Sequence, residues 1–283
     1  MPSCKRYSSI VPKVFYIRFC TLLVLLLGSC ATHNAPEIIS ANSANVHSAG
    51  CGIKHIGTNK FKATQLTIQD QTRNYHLHVP AGYNPERAYP LIFLFHGYGG
   101  NGLSGGLGIE HNAKGNALIV GADGLNNQWN QSTKENDLHF FDTMLETISS
   151  QYCVDKNRVF SYGFSMGGYF TNLLACERGN VLRASASIAG GPRGNDCKGK
   201  VAAWFLHDTD DKAINISQGI AARDKAIATN GCSQETIELE NGCVQYQGCQ
   251  ETPIVWCQTS GFGHDIRGDV APARVWKFFQ QFR

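Results

Sequence analysis

The chain has 283 residues, 42% hydrophobic and 17% charged, which is enough for one large domain with a sizeable core and excludes a disordered or fibrous chain. The formal charge of +3 comes from the first 30 residues, which hold Lys5, Arg6, Lys13 and Arg18 and no acid; the rest carries 21 basic against 22 acidic side chains. No basic patch argues for a nucleic-acid partner.

In residues 1–30 those cations are followed by the apolar run "FCTLLVLLLGSC", too short to cross a bilayer and laid out as an export signal. It closes on Leu27-Gly28-Ser29-Cys30, which resembles the lipobox of bacterial lipoproteins, where cleavage before the cysteine leaves it to carry lipid. Plain secretion, with cleavage a few residues later, needs similar small residues. Cys30 is therefore the candidate lipidation site and membrane anchor, and either route takes the protein out of the cytoplasm. Residues 31–50, rich in Ala, Asn and Ser without apolar periodicity, are expected to be a flexible tether to a domain over 51–283.

Beyond the signal eight cysteines remain: Cys51, Cys153, Cys176, Cys197, Cys232, Cys243, Cys249 and Cys257. An even count in an exported chain points to up to four disulfides of unreadable pairing. With no CxxC pair and irregular spacings, no metal site is expected. His76 and His78 share one strand face, a weak metal hint against the plainer reading of two half-exposed strand residues.

In chain order, 63–69 and 73–79 alternate as half-buried strands around a turn, and "LIFLFH" (91–96) and "ALIVGA" (117–122) are the continuous apolar runs of buried parallel strands. Residues 137–152 carry apolar positions at helical spacing, with Asp137 suited to the helix start. Strands are then expected at "RVFSYG", "RASASIAG", "VAAWFLH" and "PIVWCQT", and helices over 166–178, 217–229 and 269–282. Short buried strands alternating with helices imply a mostly parallel central sheet with helices on both faces, an α/β architecture.

Within it Gly163-Phe164-Ser165-Met166-Gly167 falls between a strand and a helix. Glycines two before and two after the serine clear a sharp turn and leave the hydroxyl exposed, the context that gives GxSxG its meaning as a nucleophile elbow. A serine hydroxyl needs a base, and the base an orienting carboxylate, in the chain order Ser, acid, His. The base is expected to be His264, in the Gly-rich "TSGFGHDIRG" before the last helix; His207, at a strand end, reads as structural. Asp208, Asp210 and Asp211 share one loop after a strand, and chemistry alone does not choose among them. The oxyanion calls for two N–H donors: the residue after the nucleophile, Met166, and one from the loop "HGYGG", assigned to Tyr98. His96 is expected to pack beneath that loop.

These residues, with "SAGCG", "DGLNNQWN", "DLHFFDTML", "CVDKNRVFSYGFSMGG", "LAC", "INIS", "NGC", "GFGH" and "APARVWKFFQQF" in one order, resemble the secreted feruloyl esterases of the fungal carbohydrate-esterase kind. Polyhydroxybutyrate depolymerase-like hydrolases are related to these. The likeness covers nearly all of 49–283 and implies the α/β-hydrolase fold. It also implies Asp211 as the triad acid, four residues after His207, with Asp210 as the fallback. The chain departs in having Asp208 where relatives usually have Gly. The resemblance further implies a substrate wall near Trp129, whose large flat ring could equally be simple core. Cys243 and Cys257 are additional to the commoner set and flank an expected hairpin across which they are candidates to pair.

The implied activity is serine-dependent hydrolysis of carboxylic esters, releasing ferulate or related hydroxycinnamates from plant cell-wall polysaccharide, with no metal or organic cofactor. The alternatives are polyester depolymerisation of the polyhydroxybutyrate type, acetylxylan deacetylation, and a non-catalytic carbohydrate-binding surface protein on the same fold. The sequence does not set the oligomeric state.

Overall fold

In this computed structural model, which describes residues 46–104, 107–129 and 134–282, strands of three to eleven residues, two of them wholly buried apolar runs, lie side by side in one ten-stranded sheet. The expected signal, Cys30 and most of the expected tether lie outside the described residues. The last stretch of that tether is docked: Lys156 N–H donates to Val46 O at 2.8 Å, Ser48 N–H to Val154 O at 2.9 Å, and Gly50 N–H to Ser149 O at 2.9 Å. The folded domain thus begins ahead of Cys51.

β1 (Phe61–Ile68) and β2 (Gln71–His78) form an antiparallel hairpin. Its two turn residues, Gln69 and Asp70, take φ of 47° and 66°, the positive values that match a tight hairpin to strand twist. There follow β3 (Tyr89–Phe95), α1 (Ile109–Ala113), β4 (Leu118–Ala122), α2 (Lys134–Gln151), β5 (Val154–Phe164), α3 (Met166–Glu177), β6 (Ala184–Ile188) and β7 (Ala202–Asp208). The chain closes with α4 (Ile216–Asn230), β8 (Thr236–Glu238), β9 (Cys243–Tyr246), β10 (Ile254–Thr259) and α5 (Ala271–Phe279). The sheet order is β1-β2-β4-β3-β5-β6-β7-β10-β9-β8. The strands from β4 to β10 pair in parallel, and the pairings outside them are antiparallel.

Alternation decides the layers. Leu91, Phe93 and Phe95 of β3 meet Phe140, Phe141 and Met144 of α2 and Phe170 and Leu174 of α3. Ile92 and Leu94 point the other way, toward Ile109 of α1 and Val275 and Phe279 of α5. α4 extends the first layer, packing Ala222 and Ile227 on Phe205 and Trp256. Each such ring, taken wholly out of water, contributes about 1.5–3 kcal/mol, which is why β3 and β7 contain no exposed position.

Three features differ from the sequence expectation. α2 starts a turn before Asp137, whose buried carboxylate pairs with Arg73 at 2.8 Å; a distant cation claims the side chain that local propensity assigns to a cap. α1 has five residues, too few to show a helical period. β8 is exposed throughout, so it lacks the apolar signature of a strand.

Four disulfides join Cys51–Cys153, Cys176–Cys197, Cys232–Cys249 and Cys243–Cys257. The last crosses the antiparallel β9–β10 pair at a directly opposed position. Loop-closure entropy grows with the length of chain enclosed. Replacing Cys51 and Cys153, 102 residues apart, by Ser is expected to cost about 3–5 kcal/mol in urea unfolding, more than the same change at Cys243 and Cys257, 14 apart. A larger loss from the shorter loop would contradict that ordering.

Candidate active site

β5 ends at Phe164 and α3 begins at Met166, so Ser165 alone makes the reversal, at φ 55° and ψ −119°. A non-glycine residue held there stores roughly 1–3 kcal/mol of strain. The turn survives because the backbone closes in around it. A Cβ on Gly163 would stand 2.3 Å from Gly167 O, and one on Gly167 would stand 2.0 Å from Phe95 O. Only glycine fits either position.

The hydroxyl meets a histidine from the loop after β10, three strands along the sheet from β5. His264 Nε2 lies 2.9 Å from Ser165 Oγ, and His264 Nδ1 lies 2.7 Å from Asp211 Oδ2. A carboxylate can only accept, so Nδ1 carries the proton and Nε2 faces the hydroxyl as acceptor. Asp211 is 3% exposed, and its Oδ1 accepts from the N–H groups of Ala213 and Ile214 at 2.9 and 2.8 Å. Burial pushes its pKa up. The hydrogen bond from His264, the two backbone donors and the attraction of the ring when it is protonated together outweigh that and hold it below the usual carboxylate range. An imidazole between a hydroxyl and a buried anion can take the hydroxyl proton and be held as a cation.

The other two carboxylates of the loop face elsewhere. Asp208 accepts from Asp210 N–H, the Thr259 hydroxyl and the N–H groups of Phe262 and Gly263. Asp210 accepts from Gly261 N–H at 2.6 Å. His207 is buried, with Nε2 2.8 Å from Ile214 O and 3.4 Å from Asp211 Oδ2.

The HGYGG loop passes beside the serine: a Cβ on Gly97 would lie 3.4 Å from Ser165 Cβ. His96, 3% exposed, secures that loop. Its Nε2 accepts from Gly124 N–H at 2.9 Å, which leaves Nδ1 to donate to Gly97 O at 2.6 Å. Burial lowers its pKa and keeps the ring neutral. Gly99 N–H donates to Asn127 O at 2.8 Å. Met166 opens α3, where an N–H has no carbonyl partner inside the helix, and Tyr98 sits at the tip of the loop, 75% exposed.

Trp129 lies under this loop. Its ring stacks on Phe170 at 4.9 Å, meets Phe95 edge-on, and donates Nε1–H to His96 O at 2.9 Å; it is 3% exposed. Those surroundings favour the core reading of Trp129 over the substrate wall. His76 is near Asp123, at 3.3 Å, and His78 packs on Phe61. Among the described residues no group of three or more His, Cys, Asp or Glu could hold a metal ion.

An open cleft of about 380 Å³ runs between the loop and His264, walled by Tyr98, Leu107, Phe164, His264 and Ile266. Phe164, Leu107 and Ile266 are not among the residues that sequence motifs place in the site. Phe164, the residue before the serine in GFSMG, packs on the His264 ring at 4.8 Å, and its place in the motif was the available signal. Leu107 has none.

No family model matches the chain. It is 33% identical over 294 residues to feruloyl esterase D of Neurospora crassa, covering 94% of this chain and 98% of that protein. Its identity to feruloyl esterase C of Emericella nidulans is 30%, over 82% of this chain and 91% of that one. Among solved structures, the feruloyl esterase module from Clostridium thermocellum, an S954A mutant complexed with sinapinate, superposes with a TM-score of 0.59. That match has 14% identity and covers 81% of this chain and 90% of the module, and it bears on the fold.

Because the Asp211 pKa is depressed in the folded state, the unfolded chain binds the proton first as pH falls. The stability this carboxylate supplies is full above the unfolded value of about 4 and is lost as pH falls through the lower folded value. The urea midpoint is expected to hold from about pH 7 to 5 and drop below about pH 4, with a shallower drop in Asp211→Asn. Equal drops in both proteins would deny Asp211 that share.

Proposed function

The chain belongs to the feruloyl esterase family, whose members are carboxylic ester hydrolases, and on that premise we propose that Ser165 is its nucleophile, His264 its general base and Asp211 the residue that orients the base. The observation that carries this is the unbroken relay of 2.9 and 2.7 Å from hydroxyl through imidazole to buried carboxylate, on a strained elbow.

Ser165 Oγ attacks the ester carbonyl while His264 Nε2 takes its proton. Asp211 holds the Nδ1–H and stabilises the imidazolium. The backbone N–H groups of Tyr98 and Met166 donate to the oxyanion as it forms. The alcohol leaves with the proton from His264, and water, deprotonated by the same nitrogen, cleaves the acyl-serine. The reaction so written draws on no metal or organic cofactor.

The substrate proposed is a hydroxycinnamate such as ferulate esterified to plant cell-wall polysaccharide. A flat aryl acyl group suits a cleft walled by Tyr98, Phe164, Leu107 and Ile266. Trp129 supports the oxyanion loop from below through its bond to His96 O. Export is part of the same proposal, drawn from the signal-like residues 1–30 and four disulfides that need an oxidising compartment. Cys30 is its candidate lipid anchor.

Methyl ferulate, acetylated xylan and a 3-hydroxybutyrate oligomer separate the readings. Turnover is expected on the ferulate ester, and rapid oligomer cleavage without it would move the assignment to polyester. Ser165→Ala is expected to lose about 10⁴-fold or more in kcat with its fold intact; an unchanged rate would point to a binding protein with a contaminating esterase. Mass spectrometry of the mature N-terminus should find a diacylglyceryl-modified Cys30, whereas a free N-terminus further along would show plain secretion.

A further inference from the structure

The turn that carries His264 is seated on an anion belonging to the chain itself. Thr259, the last residue of β10, is in register with Asp208, the last residue of β7, and the ladder runs one bond further through Thr209 N–H to Thr259 O at 2.8 Å. The chain then coils through Gly261 and Gly263, at φ 83° and 67°, so that three successive N–H groups turn back toward β7. Gly261 N–H donates to Asp210 Oδ2 at 2.6 Å, Phe262 N–H to Asp208 Oδ2 at 3.3 Å, and Gly263 N–H to Asp208 Oδ1 at 3.1 Å. The Thr259 hydroxyl gives Oδ2 a further bond at 2.8 Å, and Asp210 N–H gives Oδ1 one at 2.9 Å. The Phe262 and Gly263 N–H groups thus form a small nest for the Asp208 anion, with Gly261 held beside it on Asp210.

Asp208 is 4% exposed. Burial would raise its pKa, but its four donors outweigh that and keep it ionised. On the outer side of the same turn the Arg267 guanidinium lies 3.5 Å over the Phe262 ring and is itself paired with Asp269 at 2.9 Å. The turn is therefore clamped from both sides, and the clamp ends at the residue before His264.

We propose that Asp208 is a positioning residue for ester hydrolysis: its carboxylate, held by the N–H groups of Phe262 and Gly263, fixes the turn before His264 against the end of β7, and so sets the one placement of the imidazole that reaches Ser165 and Asp211 together. The inference rests on the assignment of Ser165, His264 and Asp211 to the chemistry. A glycine at this position would have no carboxylate to accept these bonds and would supply no such anchor. Because Asp208 and Asp211 leave the same strand end three residues apart, one short segment fixes both the ring's partner and the turn that delivers the ring. A displacement of about 1 Å at a reacting pair costs on the order of 100-fold in rate, so a modest release of the turn is visible in kcat.

The test uses the full chain with methyl ferulate. Asp208→Asn keeps the shape but turns an amide N–H toward the nest donors; Thr259→Val removes one bond only. Asp208→Asn is expected to lower kcat by roughly 10- to 100-fold with KM within about threefold, and to slow labelling of Ser165 by a fluorophosphonate in parallel; Thr259→Val should lose about two- to fivefold. A folded Asp208→Asn protein with a lower melting temperature and kcat within about twofold of wild type would overturn the proposal. Should that variant fail to fold, full kcat in Thr259→Val overturns it instead. Ser165→Ala separates the two layers: if it stays active the relay assignment itself is wrong, whereas an inactive Ser165→Ala beside wild-type rates in both anchor variants sinks the positioning role alone.

Discussion

The approach of Gly167 to Phe95 O is the constraint on which the rest depends. With no room for a Cβ between them, α3 starts directly against the end of β3, and Ser165 is pushed into a backbone region that an unconstrained serine avoids. The strain is local, but what holds it is the buried sheet: β3 and β5 lie side by side in register, with Phe95 opposite Gly163, and α3 is held on the sheet by its own Phe170 and Leu174. A rigid core is what allows one residue to be kept out of its relaxed conformation.

Around that point three strand ends supply different parts. β5 provides the hydroxyl, β7 provides Asp211 and Asp208, and β10 leads to His264. All three are parallel strands, so their C-terminal ends open on the same edge of the sheet, where the loops of this architecture gather functional groups. Burial acts there in two directions. It disfavours the charge on Asp208 and Asp211, and it excludes the water that would otherwise compete for them, so the donors that satisfy each carboxylate also orient it.

What was legible in the sequence follows from how local its cause is. The buried strands announce themselves by composition: "LIFLFH" and "VAAWFLH" could scarcely be anything else. GxSxG is legible because its glycines answer a steric need inside five residues. The choice among Asp208, Asp210 and Asp211 was not, since all three leave one strand end and only the distant turn at 261–263 sorts them; the family resemblance favoured Asp211, the carboxylate found against His264. Asp137 illustrates the same limit, as Arg73 lies 64 residues away in sequence. Trp129 was ambiguous because a flat ring suits a ligand or a core equally, and its neighbours Phe95 and Phe170 come from separate elements.

The cleft is built unevenly. One wall, Phe164, His264 and Ile266, adjoins the Ser165–His264–Asp211 relay, whereas the other, with Tyr98, Ser104 and Leu107, belongs to the connection between β3 and α1. The exposed Tyr98 side chain can change in size and polarity without disturbing the relay, whereas Leu107 is fixed in the core with Ile109 and Val275. The lining of the cleft can therefore change at Tyr98 while the strand ends that hold Ser165, Asp211 and His264 stay as they are.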